Sequence, residues 1–139
     1  MLRLEELNKV YRTGDVETTA LDRVSLTIEL GAFVAVMGPS GCGKSTLLNI
    51  IAMLDNPTEG KYFFLEHEIS RWPESRLTEL RKHHVGFIFQ SFNLIEELSV
   101  FENIELALLY HRIPARERRQ RVEAVMERMG IAHRARHRP

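Results

Sequence analysis

Residues 32–54 constrain this chain more than any other stretch. Ala32 to Met37 (AFVAVM) is continuously apolar and rich in small and branched side chains. That is the composition of a strand covered on both faces, as in a parallel sheet. A glycine-rich turn follows at 38–43, and from Lys44 the period changes. Leu47, Leu48, Ile50, Ile51 and Leu54 fall on one face of a helix. A buried strand, a glycine loop and an apolar helix in direct succession belong to few architectures, all of them α/β.

The turn itself reads Gly38-Pro39-Ser40-Gly41-Cys42-Gly43-Lys44-Ser45 and matches G-x-x-x-x-G-K-[ST]. Each residue type has a reason to be there. Glycines let the backbone curl until successive N–H groups face inward toward a polyphosphate. The helix opening at Lys44 adds the partial positive charge of its N-terminus. Lys44 brings a mobile ammonium for β and γ phosphates. Ser45 offers a hydroxyl to Mg²⁺, and Thr46 a further phosphate contact. A bare strand-to-helix turn is the alternative, but such a turn needs neither Lys nor Ser. Cys42 reads as a small residue whose backbone matters more than its thiol.

The other segments are shorter. Leu2 to Tyr11 reads as a strand, Thr13-Gly14-Asp15 as a turn, and 21–30 as a half-buried, antiparallel strand with mostly alternating Leu21, Val24, Leu26, Ile28 and Leu30. Asn56-Pro57 ends the first helix, and Lys61 to Leu65 is extended. Tyr62-Phe63-Phe64-Leu65-Glu66 imitates an apolar strand ending in a carboxylate, but it follows Gly60 too closely after the first helix for that role. Pro73 opens a helix to about Lys82. Val85 to Phe89 (VGFIF) reads as a short apolar strand. Ser99 and Glu102 form a capping-box pattern for a helix to about Tyr110. Pro114 opens a last helix that ends near Gly130.

Composition narrows the class. The 139 residues are 44% apolar and 27% charged, with 19 basic and 19 acidic residues. A disordered chain is excluded. One Cys excludes a disulfide scaffold and suggests a reducing compartment. No apolar run approaches the ~18 residues of a membrane helix, and Met1 to Glu6 lacks the apolar core of a signal peptide. The neutral total hides an Arg-rich end: residues 111–139 hold nine Arg against three Glu. Val122, Val125, Met126 and Met129 give that helix one apolar stripe, so the arginines read as its solvated face. Aromatics for base stacking are missing there, and no nucleic acid is expected.

Three separated segments resemble one family, in order and spacing. KVYRTGDVETTALDRVSL (9–26), GPSGCGKSTLLNIIAMLDNPTEG (38–60) and GFIFQSFNLIEELSVFENI (86–104) are similar to the N-terminal part of an ABC transporter ATP-binding subunit. The branch they resemble serves lipoprotein release and macrolide or peptide export. The resemblance implies an α/β fold: a P-loop NTPase core with an antiparallel β subdomain, in which 62–66 would be a hairpin strand, and the start of a helical subdomain, incomplete at the C-terminus. Residues 1–89 would be the β subdomain and P-loop core, and 90–139 the Q-loop and first part of the helical subdomain. ATP and Mg²⁺ are the implied ligands. Tyr11 would stack on adenine, and Gly38, Pro39, Ser40, Gly41, Cys42, Gly43, Lys44, Ser45 and Thr46 would hold the phosphates. Lys44 and Gln90 would serve the reaction, with Ser45 and Gln90 at the metal. Phe92, Asn93 and Leu94 would face a transmembrane permease subunit.

The resemblance also implies a dimer of ATP-binding subunits on the cytoplasmic face of a membrane. The family continues beyond a segment like HRARHRP (133–139) into an LSGGQ signature, a Walker B carboxylate strand and a switch histidine. This sequence contains none of these, so it reads as a fragment, inactive by itself in hydrolysis. Two other readings compete. A P-loop kinase or GTPase would need an acceptor site or an N-K-x-D guanine motif, and the latter is missing. A non-catalytic module that binds nucleotide or an intact subunit without turnover is the second.

Overall fold

The computed structural model describes all 139 residues, and they form two compact units, Met1–Val85 and Gly86–Pro139. The first unit is built on strands β1 (Leu2–Thr13), β2 (Val16–Ile28), β3 (Glu59–Phe64) and β4 (His67–Glu68), with helices α1 (Lys44–Ile51) and α2 (Glu74–His84). The sheet is antiparallel, in the order β2-β1-β3-β4.

The apolar spacing of β1 and β2 explains their shape. Strict alternation fails in both strands, from Leu4 to Leu7 and from Leu7 to Val10 in β1 and from Leu21 to Val24 in β2. The pairing register shifts between Leu4 and Leu7, and again on both sides of Lys9. Glu6 and Arg23 take left-handed φ values of 47° and 46°. Each bulge swallows one residue, so Leu4 and Leu7 both face the core despite their odd spacing. Side chains replace the lost ladder bonds: Glu6 N donates to Ser25 Oγ (3.0 Å) and Arg23 N to Asn8 Oδ1 (2.8 Å). Gly60 of β3 crosses this point. A Cβ there would lie 2.4 Å from the Glu6 carbonyl oxygen and 2.6 Å from Leu7 Cα.

One core joins Leu2, Leu4 and Leu7 of β1 to Leu21, Tyr62, Leu47, Ile50, Met53, Ile69 and Leu77. The phenol of Tyr62 is buried and donates to Ile51 O at 2.7 Å. Burial pushes its pKa well above the ordinary 10.

Two sequence expectations fail here. Ala32–Met37 and Val85–Phe89 join no strand ladder. Phe33, Met37 and Ile88 are almost wholly exposed, at 97%, 88% and 99%. A continuously apolar strand needs hydrogen-bonded neighbours and cover on both faces, and these segments have neither. Only Val36 and Val85 pack partly against the core. The 62–66 stretch is the hairpin strand expected: Phe63 pairs with Glu68 and Phe64 with His67. Its turn places Leu65 at φ 55°, the left-handed region where glycine is more usual.

The second unit holds α3 (Val100–Leu109), α4 (Ala115–Arg128) and a short 3-10 turn at Ala132–Arg134. The capping box is formed: Ser99 Oγ accepts from Glu102 N, while the Glu102 carboxylate accepts from Ser99 N. The next orphan amides are met by the end of the chain, with Val100 N on His137 O and Phe101 N on Ala135 O. Val122 and Met126 of α4 are buried, but Val125 and Met129 are exposed, so the apolar stripe is narrower than its spacing suggests. Arg118 Nε pairs with Glu105 Oε1 at 2.9 Å and ties α4 to α3.

Candidate functional site

The glycine loop lies open to solvent, with residues 38–42 all exposed. Its shape comes from three positive-φ glycines, Gly38, Gly41 and Gly43. Gly43 is the tightest of them. At φ 90° it immediately precedes α1, and a Cβ would sit 2.3 Å from the Ala20 carbonyl oxygen. Bare backbone is therefore required where the loop crosses β2. No side chain caps α1, and its first turn carries no acid. The first amides and the helix dipole stay available to an anion.

Lys44 folds back over the loop. Its Nζ donates to Gly38 O at 3.0 Å and Pro39 O at 2.7 Å, and lies 3.7 Å from Cys42 Sγ. The ammonium thus occupies the mouth of the loop, held by neutral carbonyls that a phosphate oxygen can displace. Ser45 is exposed and Thr46 half-buried. Hydroxyl oxygens suit a hard cation such as Mg²⁺, so the residue types present fit a Mg²⁺-bound polyphosphate.

Tyr11 lies on β1, opposite Thr18 of β2. Thr18 stands two residues before Ala20, the point where Gly43 crosses β2. At ~3.3 Å per residue along a strand and nearly 5 Å between strands, the aromatic and the loop are on the order of 10 Å apart. That is a span a nucleoside triphosphate can bridge. The Tyr11 ring is 40% exposed.

Two residues that sequence reasoning passed over converge on this tyrosine. Asp55 accepts from the Tyr11 hydroxyl through Oδ2 (2.8 Å) and from Lys9 Nζ through Oδ1 (2.6 Å). Lys9 Nζ also donates to Asn56 O at 2.7 Å and lies 4.8 Å from the Tyr11 ring centroid. Partial burial raises the Asp55 carboxyl pKa. The hydrogen bonds from Lys9, Tyr11 and the Asn56 amide, with the Lys9 charge, outweigh it and leave the pKa below its ordinary value. The only sequence signal was a charged residue at a helix exit, which ordinarily marks a solvated turn.

Gln90 is exposed and belongs to the second unit, in an irregular segment. Phe92 is 86% exposed, Leu94 is exposed, and Asn93 adopts φ 50°. These apolar side chains lie on the surface rather than in a helical core. The following loop is pinned by Asn103, whose amide bonds to Ile95 N and O and to the Leu98 and Ser99 carbonyls. Two arginines of the basic end are paired on their own helix, Arg119 with Glu123 and Arg121 with Glu117.

An apolar helix opened by a glycine loop thus lies beside a bulged antiparallel sheet, the arrangement of a phosphate-binding α/β protein. The family model described as ABC transporter matches residues 21–139, and the chain belongs to that family. It is 40% identical, over its whole length, to the uncharacterized ABC transporter ATP-binding protein YvrO of Bacillus subtilis, 61% of which it covers. It is equally 40% identical to 22% of the macrolide export ATP-binding/permease protein MacB of Hyphomonas neptunium. Among solved structures, the cassette MJ0796, in a dimeric post-hydrolysis state bound to ADP and Pi, matches with a TM-score of 0.90 at 39% identity. That match covers all of this chain and 62% of the other. The chain therefore spans about three fifths of the ATP-binding protein and the cassette, and about a fifth of the ATP-binding/permease protein.

Proposed function

We propose that this chain is the nucleotide-holding part of an ATP-binding subunit that couples ATP binding and hydrolysis to export through a membrane permease. The observation that carries the reading is the open loop with Lys44 poised on the Gly38 and Pro39 carbonyls. The amides of residues 38–46 take the phosphates, and Lys44 moves from those carbonyls onto the β and γ oxygens. Ser45 would hold Mg²⁺, which would neutralise phosphate charge. Gln90 would serve the metal and the γ phosphate, and Tyr11 would stack on adenine.

Residues 1–89 would act as β subdomain and P-loop core, and 90–139 as the Q-loop and first part of the helical subdomain. Phe92, Asn93 and Leu94 meet the permease, in keeping with the ATP-binding/permease name of one relative. Pairing with a second ATP-binding subunit is supported by the dimeric cassette it resembles. No helix here is long and apolar enough to cross a membrane, so attachment at the cytoplasmic face would come through the permease. Macrolides, lipoproteins or peptides are the proposed cargo.

The 139 residues by themselves bind nucleotide weakly and do not turn it over, because hydrolysis needs a carboxylate to orient water beside the γ phosphate. The test is equilibrium binding of MgATP with phosphate release followed in parallel. Wild type should bind, and Lys44→Ala should lose at least about tenfold in affinity, the worth of a strong charge-assisted contact. Unchanged binding in Lys44→Ala defeats the proposed site. Steady phosphate release by the wild type that Lys44→Ala abolishes defeats the claim of no turnover.

A further inference from the structure

We infer that Asp55 is a positioning residue for the base of the nucleotide, acting through Tyr11 and Lys9. The inference rests on the proposed stacking role of Tyr11 and adds a residue to it. A tyrosine at a strand end, 40% exposed, would sample several rotamers. Here its hydroxyl is tied to Asp55 Oδ2 at 2.8 Å. The other carboxylate oxygen holds Lys9 Nζ at 2.6 Å, and that ammonium sits 4.8 Å from the centroid of the same ring. Tip and ring are therefore held at once by a single acid.

The acid's location gives the tie its meaning. Asp55 follows α1, the helix that begins at the phosphate loop. Its amide donates to Asn49 O of that helix, and its neighbour Asn56 accepts from Lys9. The clamp thus joins the aromatic on β1 to the far end of the helix whose near end faces the phosphates. A ring pre-set relative to the phosphate loop gives up less freedom when a base stacks on it. The contact should act only on the base, because neither Tyr11 nor Asp55 belongs to the phosphate loop at 38–46.

The experiment measures binding of MgATP and of magnesium tripolyphosphate, up to millimolar concentration, to the full chain. The variants are Asp55→Ala, Tyr11→Phe, their double, and Tyr11→Ala. Tyr11→Phe keeps the stacking face and removes only the tether. Asp55→Ala and Tyr11→Phe should each weaken MgATP about fivefold, the cost of ordering one side chain. The double should be no weaker than either single, as for two ends of one contact. Tripolyphosphate affinity should not change in any of them.

Asp55→Ala that binds MgATP like wild type, while Tyr11→Ala does not, overturns the positioning role and leaves the stacking role standing. Tyr11→Ala that binds MgATP like wild type removes the stacking role and this inference with it. Equal losses for MgATP and tripolyphosphate in Asp55→Ala show a general structural defect and also overturn it. Additive losses in the double do the same. A wild-type chain that retains neither ligand overturns both the site and the clamp.

Discussion

Single residues decide how closely the backbone segments of the first unit can approach. Gly60 faces the Glu6 carbonyl and Leu7 Cα across the bulge, at distances no methyl group tolerates, and it does so at φ 91°. Gly60→Ala should cost about 3 kcal/mol, read as a lower midpoint in urea unfolding. Tyr62 makes a subtler case. Tyr62→Phe keeps the ring but orphans the Ile51 carbonyl, for an expected loss of about 1 kcal/mol in the same measurement. Asp55 adds a pH signature. Its folded pKa lies below the ordinary 3.8, so it binds protons less readily folded than unfolded. Its contribution is present above pH 3.8 and disappears as the pH falls through the folded value. Unfolding curves of wild type and Asp55→Asn should therefore differ at neutral pH and converge in acid. A gap that stays constant down to pH 2 contradicts the ion-pair account.

At the scale of elements, the ends and bends carry the information. Helix α3 is capped by Ser99 and Glu102, whose carboxyl pKa is held low by hydrogen bonds from the Ser99 side chain and backbone. Ser99→Ala should lower stability by about 1 kcal/mol, and circular dichroism during thermal unfolding measures it. This cap was legible in the sequence because a capping box is local: four consecutive residues determine it. The bulges in β1 and β2 were visible only as a stumble in the alternation, with gaps of three residues from Leu4 to Leu7, Leu7 to Val10 and Leu21 to Val24. Interpreting the stumble required the partner strand, since Asn8 and Ser25 act across the pair. The Lys9–Tyr11–Asp55 cluster escaped sequence reasoning for the same reason, as its members come together only through the packing of α1 on the sheet.

Across the whole molecule, the exposed apolar segments stand out. Phe33, Met37 and Ile88 face solvent in stretches whose composition suits burial on both faces. Large uncovered apolar surface attracts other chains and hydrophobic dyes. The 139-residue chain should bind the dye ANS in its folded state, and a Phe33→Lys, Ile88→Lys double variant should bind less and stay monodisperse at higher concentration by light scattering. Dye binding unchanged by that variant places the exposed surface elsewhere.

The sequence by itself determined the glycine loop, the helix it opens and the capping box. Each depends on residues adjacent in the chain, where sterics and local hydrogen bonds act without help. Tertiary structure decided what those rules do not reach. It left AFVAVM and VGFIF unpaired, because a strand exists only when a neighbour accepts its hydrogen bonds. It also brought Asp55 to Tyr11, because that contact bridges 44 positions of chain and forms only once the sheet and helix have packed.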